Sequence, residues 1–212
     1  MRPWLTKSRR TGNMETVIIL HGLGRRGASM RKLATAIEAA GFHSIVLDYP
    51  STSHAIDALV EGLCGQLPAH GSLHFVGHSL GGILSKKLAK QLGAERRGRV
   101  VQIGAPNFGS ELAARAGVLS KVMGPALAEL APHGGEDDSG VEIGAIGGTA
   151  ALAAYSLITG IDGENDGKVS LRSAFGHAPE GKKLALPVAH SLMMQDKRVI
   201  KAVVGFLQNG RF

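Results

Sequence analysis

The chain has a single cysteine, Cys64, among 212 residues. That excludes an internal disulfide and any metal site built on several thiolates. Cys64 falls in AIDALVEGLCGQL, on the apolar face of a helical pattern, where a small buried hydrophobe is expected rather than a nucleophile. No apolar run approaches the ~18 residues that a membrane-spanning helix needs. The opening MRPWLTKSRRTGN is basic and has no apolar stretch of the kind a secretory signal carries. A cytoplasmic location is the expectation, with residues 1–14 as a basic, flexible tail; both Met1 and Met14 are compatible with a translation start. Charged residues are few, at 19%, whereas apolar residues make up 44%. A disordered chain lacks that much apolar area, so residues 15–212 are expected to form one globular domain.

The formal net charge of +7 raises the question of nucleic acid. The cations, however, are dispersed as SRR, GRR, SKK, ERRGR and GKK, at turns and helix ends rather than in one stripe. Solvated surface is the expectation, and nucleic acid is not. Weak attraction to an anionic lipid surface or an acidic substrate is the second reading. No obligate protein partner is inferred.

Six short apolar runs, at 16–20, 43–49, 73–78, 99–104, 141–147 and 183–188, have the character of buried parallel strands. Helix-like stretches separate the first four. Such alternation specifies an α/β fold, a mostly parallel sheet of about six strands with helices on both faces. In these sheets chemistry gathers at the carboxyl ends of the strands.

One of those ends carries Gly77-His78-Ser79-Leu80-Gly81, followed by Gly82. With 30 glycines in the chain, Gly-x-Ser-x-Gly arises by chance roughly 0.3 times, so context must decide. A strand precedes the motif and a helix follows it, as a nucleophile elbow requires. Bulk at Gly77, Gly81 or Gly82 would collide with the neighbouring strand or helix.

A serine hydroxyl needs a base, and the base needs an acid to fix its tautomer. Two histidines lie well downstream, and His190 directly follows the last apolar run, whereas His177 precedes it. His190 is therefore the expected base. TGIDGENDGKVS offers Asp162, Glu164 and Asp166; the Asp166-Gly167 turn best suits a carboxylate at a strand end, with Asp162 as the fallback. A solvated acidic turn or a calcium loop is the competing reading, but the spacing lacks the full run of oxygen ligands. The first strand runs into LHGLGRRG, a turn whose amides can face a common centre. Leu23 N–H from this turn and Leu80 N–H after the serine are the expected oxyanion donors. The same turn loosely fits G-x-G-x-x-G at Gly22, Gly24 and Gly27, but a nucleotide reading would leave the elbow unexplained.

Taken in order, His21-Gly22-Leu23-Gly24, the elbow around Ser79, GAPNFGS at 104–110, Asp166-Gly167 and His190 resemble the α/β-hydrolase superfamily, and within it the small bacterial lipases and esterases. GAPNFGS is similar to a segment following the next strand in lipases, with Asn107 and Phe108 replacing the usual pair. Too few residues precede the first strand for two further N-terminal strands, so a reduced fold is implied. The resemblance implies a lipase or esterase that hydrolyses carboxylic esters, small-molecule or lipid, with catalytic Ser79, Asp166 and His190 and neither metal nor cofactor. His21, Gly22, His78, Asn107 and Phe108 are the candidate pocket residues. A thioesterase or amidase would use the same machinery, and a binding protein could keep the fold without activity. An apolar stripe at 111–131, from Leu112 to Leu130, within an insertion at 107–140, is either a cover over the site or an ordinary core helix.

Overall fold

The computed structural model describes residues 15–110, 124–131, 134–135, 140–151 and 160–212. The tail at 1–14 and most of the stripe at 111–131 lie outside them. Six parallel strands, β1 (Thr16–Leu20), β2 (His43–Leu47), β3 (Leu73–His78), β4 (Arg97–Ile103), β5 (Ile143–Gly148) and β6 (Lys183–Leu186), form one sheet in the order β2-β1-β3-β4-β5-β6. Helices α1 (Arg31–Ala39), α2 (Ile56–Cys64), α3 (Leu80–Gln91), α4 (Pro125–Glu129), α5 (Leu171–Phe175) and α6 (Lys197–Asn209) connect and cover it. The expected α/β architecture is present.

Each strand has a side chain for both faces, and two cores result. Ile18, Leu20, Leu73 and Phe75 pack with Leu59, Leu63, Leu84 and Leu88 of α2 and α3 on one side. On the other, Val17, Ile19, Val76 and Val101 meet Leu33 and Ile37 of α1 and Val203 and Phe206 of α6. Gly144 of β5 lets the Phe206 ring lie against the sheet, since a Cβ there would be 2.6 Å from it. Such two-sided burial is why the strands appear in the sequence as unbroken apolar runs.

Element ends depart from the apolar runs for local reasons. β2 stops at Leu47, two residues short of the expected 49, because Asp48 and Tyr49 turn away: Asp48 Oδ1 accepts from Gly27 N–H at 2.7 Å and Tyr49 stacks on His21. β4 starts earlier, at Arg97, whose guanidinium donates to the carbonyls of Ala89, Lys90 and Leu92 at the end of α3. β6 stops before Pro187, which has no N–H to give.

Candidate active site

Ser79 occupies the turn between β3 and α3 with φ 55° and ψ −122°, and is the one non-glycine residue with positive φ among the described residues. An L-residue held there costs about 1–3 kcal/mol, which the surroundings must impose. Their grip is visible. Ser79 N–H donates to Ile103 O at 2.9 Å, and Ser79 O accepts from Gly82 N–H at 2.8 Å. The tight turn needs its glycines: a Cβ on Gly77 would be 2.1 Å from Gly81 O, one on Gly81 2.5 Å from the carbonyls of Leu20 and His21, and one on Gly82 2.6 Å from Ala105 Cβ. Ser79 itself is only half-buried, at the carboxyl edge of the sheet.

Asp166 and His190 meet on the same edge. His190 Nδ1 and Asp166 Oδ2 are 2.7 Å apart, both side chains being buried. The second carboxylate oxygen, Oδ1, accepts from the N–H groups of Lys168 and Val169 at 3.0 and 2.9 Å. A backbone bond from His190 N–H to Asp166 O, 3.0 Å, ties the two loops together. This leaves Nε2 as the ring nitrogen facing away from the acid. Asp162, by contrast, is exposed, and so is His177, whose ring lies against Phe108 at 4.9 Å. Gly104 links the pair to the elbow. It follows Ile103, the acceptor for Ser79 N–H, and a Cβ on it would stand 3.2 Å from both Asp166 Oδ2 and His190 Nδ1. Side-chain bulk at this point would break the Asp166–His190 contact, a role the sequence did not reveal.

His78 holds the His190 loop from below. Its Nε2–H donates to His190 O at 3.0 Å, and the two rings lie 4.7 Å apart. Nδ1 is then an acceptor, buried and without a hydrogen-bond partner. Burial, then the neighbouring His190, hold its pKa well below the usual histidine value, so His78 is a neutral strut rather than a second base. Gly22 packs against it, since a Cβ there would lie 2.9 Å from His78 Nδ1 and 3.3 Å from Ser79 Cβ.

The loop after β1 is braced by His21, which is fully buried and stacked on Tyr49 at 4.2 Å. Nδ1–H donates to Gly22 O at 2.9 Å, and Tyr49 OH donates to His21 O. Burial lowers the His21 pKa and raises that of Tyr49. The expectation that His21 lines a pocket is therefore corrected: its ring supports the loop from behind. Within the loop the amides of Gly24, Arg25 and Gly27 are taken by Ser51 Oγ, Gly22 O and Asp48 Oδ1. Leu23 directly precedes them and is half-buried. Leu80 N–H is the first of α3, one of the donors that a helix leaves without an internal acceptor.

Asn107 and Phe108 turn out to be struts as well. Asn107 and Gln102 exchange amide hydrogen bonds at 2.8 and 3.1 Å, and Gln102 Nε2 also donates to Gly82 O. Asn107 is 3% exposed and edges a cavity of about 330 Å³ beside Ile83 and Lys86, between α2, α3 and α4. Phe108 N–H donates to Ser173 Oγ, and its ring faces His177 and Arg172. Ser110 Oγ donates to Lys168 O at 2.8 Å. GAPNFGS thus stitches the elbow helix to the loop of Asp166. No group of His, Cys, Asp and Glu able to hold a metal occurs among the described residues, and none of their helices is long and apolar enough to cross a membrane.

No model of a protein family matches the chain, and no curated protein matches it by sequence. Solved structures do. A metagenomic carboxyl esterase superimposes with a TM-score of 0.62 at 18% identity, over 85% of this chain and 65% of the esterase. A pyrethroid hydrolase from Sphingobium faniae JZ-2 gives 0.60 at 15% identity, over 93% of this chain and 98% of the hydrolase. Phospholipase PlaB from Legionella pneumophila gives 0.59 at 16% identity, over 76% of this chain and 44% of the phospholipase. The chain spans less than half of that phospholipase and about two thirds of the esterase. At such identities the likeness establishes the fold, which is that of the α/β hydrolases.

Proposed function

We propose that this α/β-hydrolase-fold chain is a serine hydrolase of carboxylic esters. The observation that carries the reading is a strained serine, φ 55°, at a strand-to-helix turn, on the edge where His190 and Asp166 are paired at 2.7 Å. A backbone conformation this unfavourable is retained only where the surroundings enforce it, and such sites concentrate where chemistry is done. The fold of esterases and hydrolases among its structural neighbours supports the same conclusion.

In the proposed reaction Ser79 Oγ attacks the ester carbonyl while His190 Nε2 takes its proton. Asp166 keeps the imidazole proton on Nδ1, so that Nε2 presents a lone pair, and stabilises the imidazolium that forms. Negative charge gathers on the former carbonyl oxygen. Leu80 N–H and Leu23 N–H are the proposed donors to it, and donors preorganised in a dry site act far more strongly there than in water. Collapse expels the alcohol, which receives the proton from His190 and leaves an acyl-Ser79. Water, deprotonated by the same imidazole, then releases the acid.

Covalent labelling tests this directly. A fluorophosphonate probe should modify the parent on Ser79, located by peptide mass spectrometry, and should not modify His190→Ala. A folded parent that stays unlabelled would refute an activated serine.

A further inference from the structure

Arg25 and Lys168 belong to loops far apart in the chain, and the dispersed basic residues were expected to be ordinary solvated surface. The fold brings these two together beside His190. Lys168 ends the turn that begins at Asp166 and, with Asp166, Ala189, His190, Ser191 and Leu192, lines a cavity of about 250 Å³. Arg25 stands two residues beyond Leu23, and its Nη2 donates to Ser191 O at 3.1 Å, on the wall of that cavity. Both side chains are half-buried. Their charges reach each other: burial, then the Arg25 guanidinium, push the Lys168 ammonium below its usual range, and both cations bear on His78.

Among the described residues neither cation is in an ion pair. Asp166 lines the same cavity as Lys168, and its oxygens already accept from His190 Nδ1 and from the N–H groups of Lys168 and Val169. Two like charges are thus held near one hollow, one of them fixed by a hydrogen bond, and the carboxylate lining that hollow, Asp166, favours the Lys168 ammonium but does not outweigh burial and Arg25. An exposed pair would spread apart and be screened; a half-buried pair is relieved when an anion arrives.

The position of the hollow says which part of a substrate would carry that anion. If His190 delivers its proton to the departing oxygen, the alcohol half of the ester must lie against His190 and whatever adjoins it. The cavity wall formed by His190, Ser191 and Leu192 is that neighbour. Leu192, 58% exposed, provides an apolar lip for the carbon framework between oxygen and charge. Resting on the ester-hydrolase reading above, we infer that this cavity is a subsite for an anionic group, carboxylate or phosphate-like, on the alcohol half of the ester, with Arg25 and Lys168 as its specificity-determining residues.

The test compares phenyl butyrates whose ring bears, at the para position, a carboxylate, a phosphonate or a neutral methyl ester. Each enzyme is scored by the ratio of kcat/KM for the anionic over the neutral ester, so any general loss of activity cancels. The parent should favour the anionic esters roughly tenfold at low salt, a preference that fades as salt screens the charges. Preference for the doubly charged phosphonate over the carboxylate would point to a phosphate-bearing alcohol, and the reverse order to a carboxylate. The ratio should fall toward one in Lys168→Met, should fall in Arg25→Gln and should recover in part in Arg25→Lys. A charge placed on the acyl side, as in phenyl hydrogen glutarate against phenyl butyrate, should bring no such gain. The inference is overturned by a parent ratio at or below one, which needs no variant to observe, by a ratio that survives both substitutions, or by equal preference for acyl-side charge. Turnover of neutral esters without charge preference would sink this inference and leave the hydrolase reading intact; turnover of no ester would overturn both.

Discussion

Replacing Asp166 by Asn changes little in shape and should change nearly everything in rate. The carboxylate divides its oxygens: Oδ1 accepts from Lys168 and Val169 N–H, and Oδ2 faces His190 Nδ1 at 2.7 Å. An amide has one oxygen and one NH2. Two backbone donors hold the oxygen at the Oδ1 position, so the NH2 must face His190 Nδ1. An NH2 group can only donate, so Nδ1 becomes the acceptor and the ring proton moves to Nε2. The imidazole then offers Ser79 a proton instead of a lone pair. Loss of the tautomer and of the charge that stabilises the imidazolium reduces turnover by roughly two to four decades, or about 2.7–5.4 kcal/mol in the barrier.

Stability should follow a different order, and this separates chemistry from folding. Asp166→Asn keeps the acceptor for both amides and should melt close to the parent. Asp166→Ala leaves the buried Val169 N–H unpaired, at a cost of about 1–3 kcal/mol, which for a chain of this size is a fall of roughly 2–12 °C in Tm. The measurements are kcat/KM on a p-nitrophenyl ester and thermal melts of parent, Asp166→Asn, Asp166→Ala and Asp162→Asn. Asp162 is exposed, so its variant should match the parent in both. Activity of Asp166→Asn within tenfold of the parent, or an equal loss in Asp162→Asn, would refute the reasoning.

Other outcomes follow from the same geometry. Ser79→Ala should abolish ester hydrolysis with the fold retained, and His190→Ala should fall almost as far while His177→Ala keeps the parent rate; the opposite order for the histidines would assign the base wrongly. Because the strain at Ser79 belongs to its backbone, Ser79→Gly should melt above Ser79→Ala, and equal melting temperatures would argue that the φ of 55° carries no strain. Gly77→Ala should be expressed poorly or lose about 3 kcal/mol or more, since its Cβ would stand 2.1 Å from Gly81 O, beyond ordinary overpacking; a parent-like melt counts against the tight elbow. Burial lowers the pKa of His21, His74 and His78 from the ordinary histidine value of about 6.5. A histidine held neutral in the fold but free to take up a proton when unfolded favours the native state fully above about pH 6.5, and that advantage is lost as pH falls toward the folded pKa. Each such group contributes up to about 1.4 kcal/mol of loss per pH unit, so Tm should drop clearly between pH 7.5 and 5.5, and a flat profile would contradict the buried neutral rings.

What the sequence discloses here is what a short span or an end-of-strand position determines. The elbow is legible because strand, turn and helix are consecutive and because the clash that demands Gly77 is with Gly81, four residues on. Strand positions are legible because two-sided burial leaves an apolar run in each. The struts are not: His21 with Tyr49, Asn107 with Ala174, and His78 with His190 depend on strand order β2-β1-β3-β4-β5-β6 and on register, which no local pattern encodes. Hence His21, placed in the pocket by its position in the loop, proves to stand behind it, and Gly104, one glycine of GAPNFGS, proves to give room for the Asp166–His190 contact. One geometric rule still reaches across those distances. In an all-parallel sheet every strand ends on the same edge, so residues a few places after β1, β3, β4, β5 and β6 are neighbours whatever their separation in the chain. The rule brings Leu23, Ser79, Gly104 and His190 together, and with them Arg25, two residues after Leu23; Asp166 and Lys168 lie well past β5, on a loop that returns to its end, where a Cβ on Gly148 would stand 2.7 Å from Asp166 Cβ. Charge taken along the chain is dispersed and suggests plain surface; taken by its place in the fold, it is concentrated beside His190.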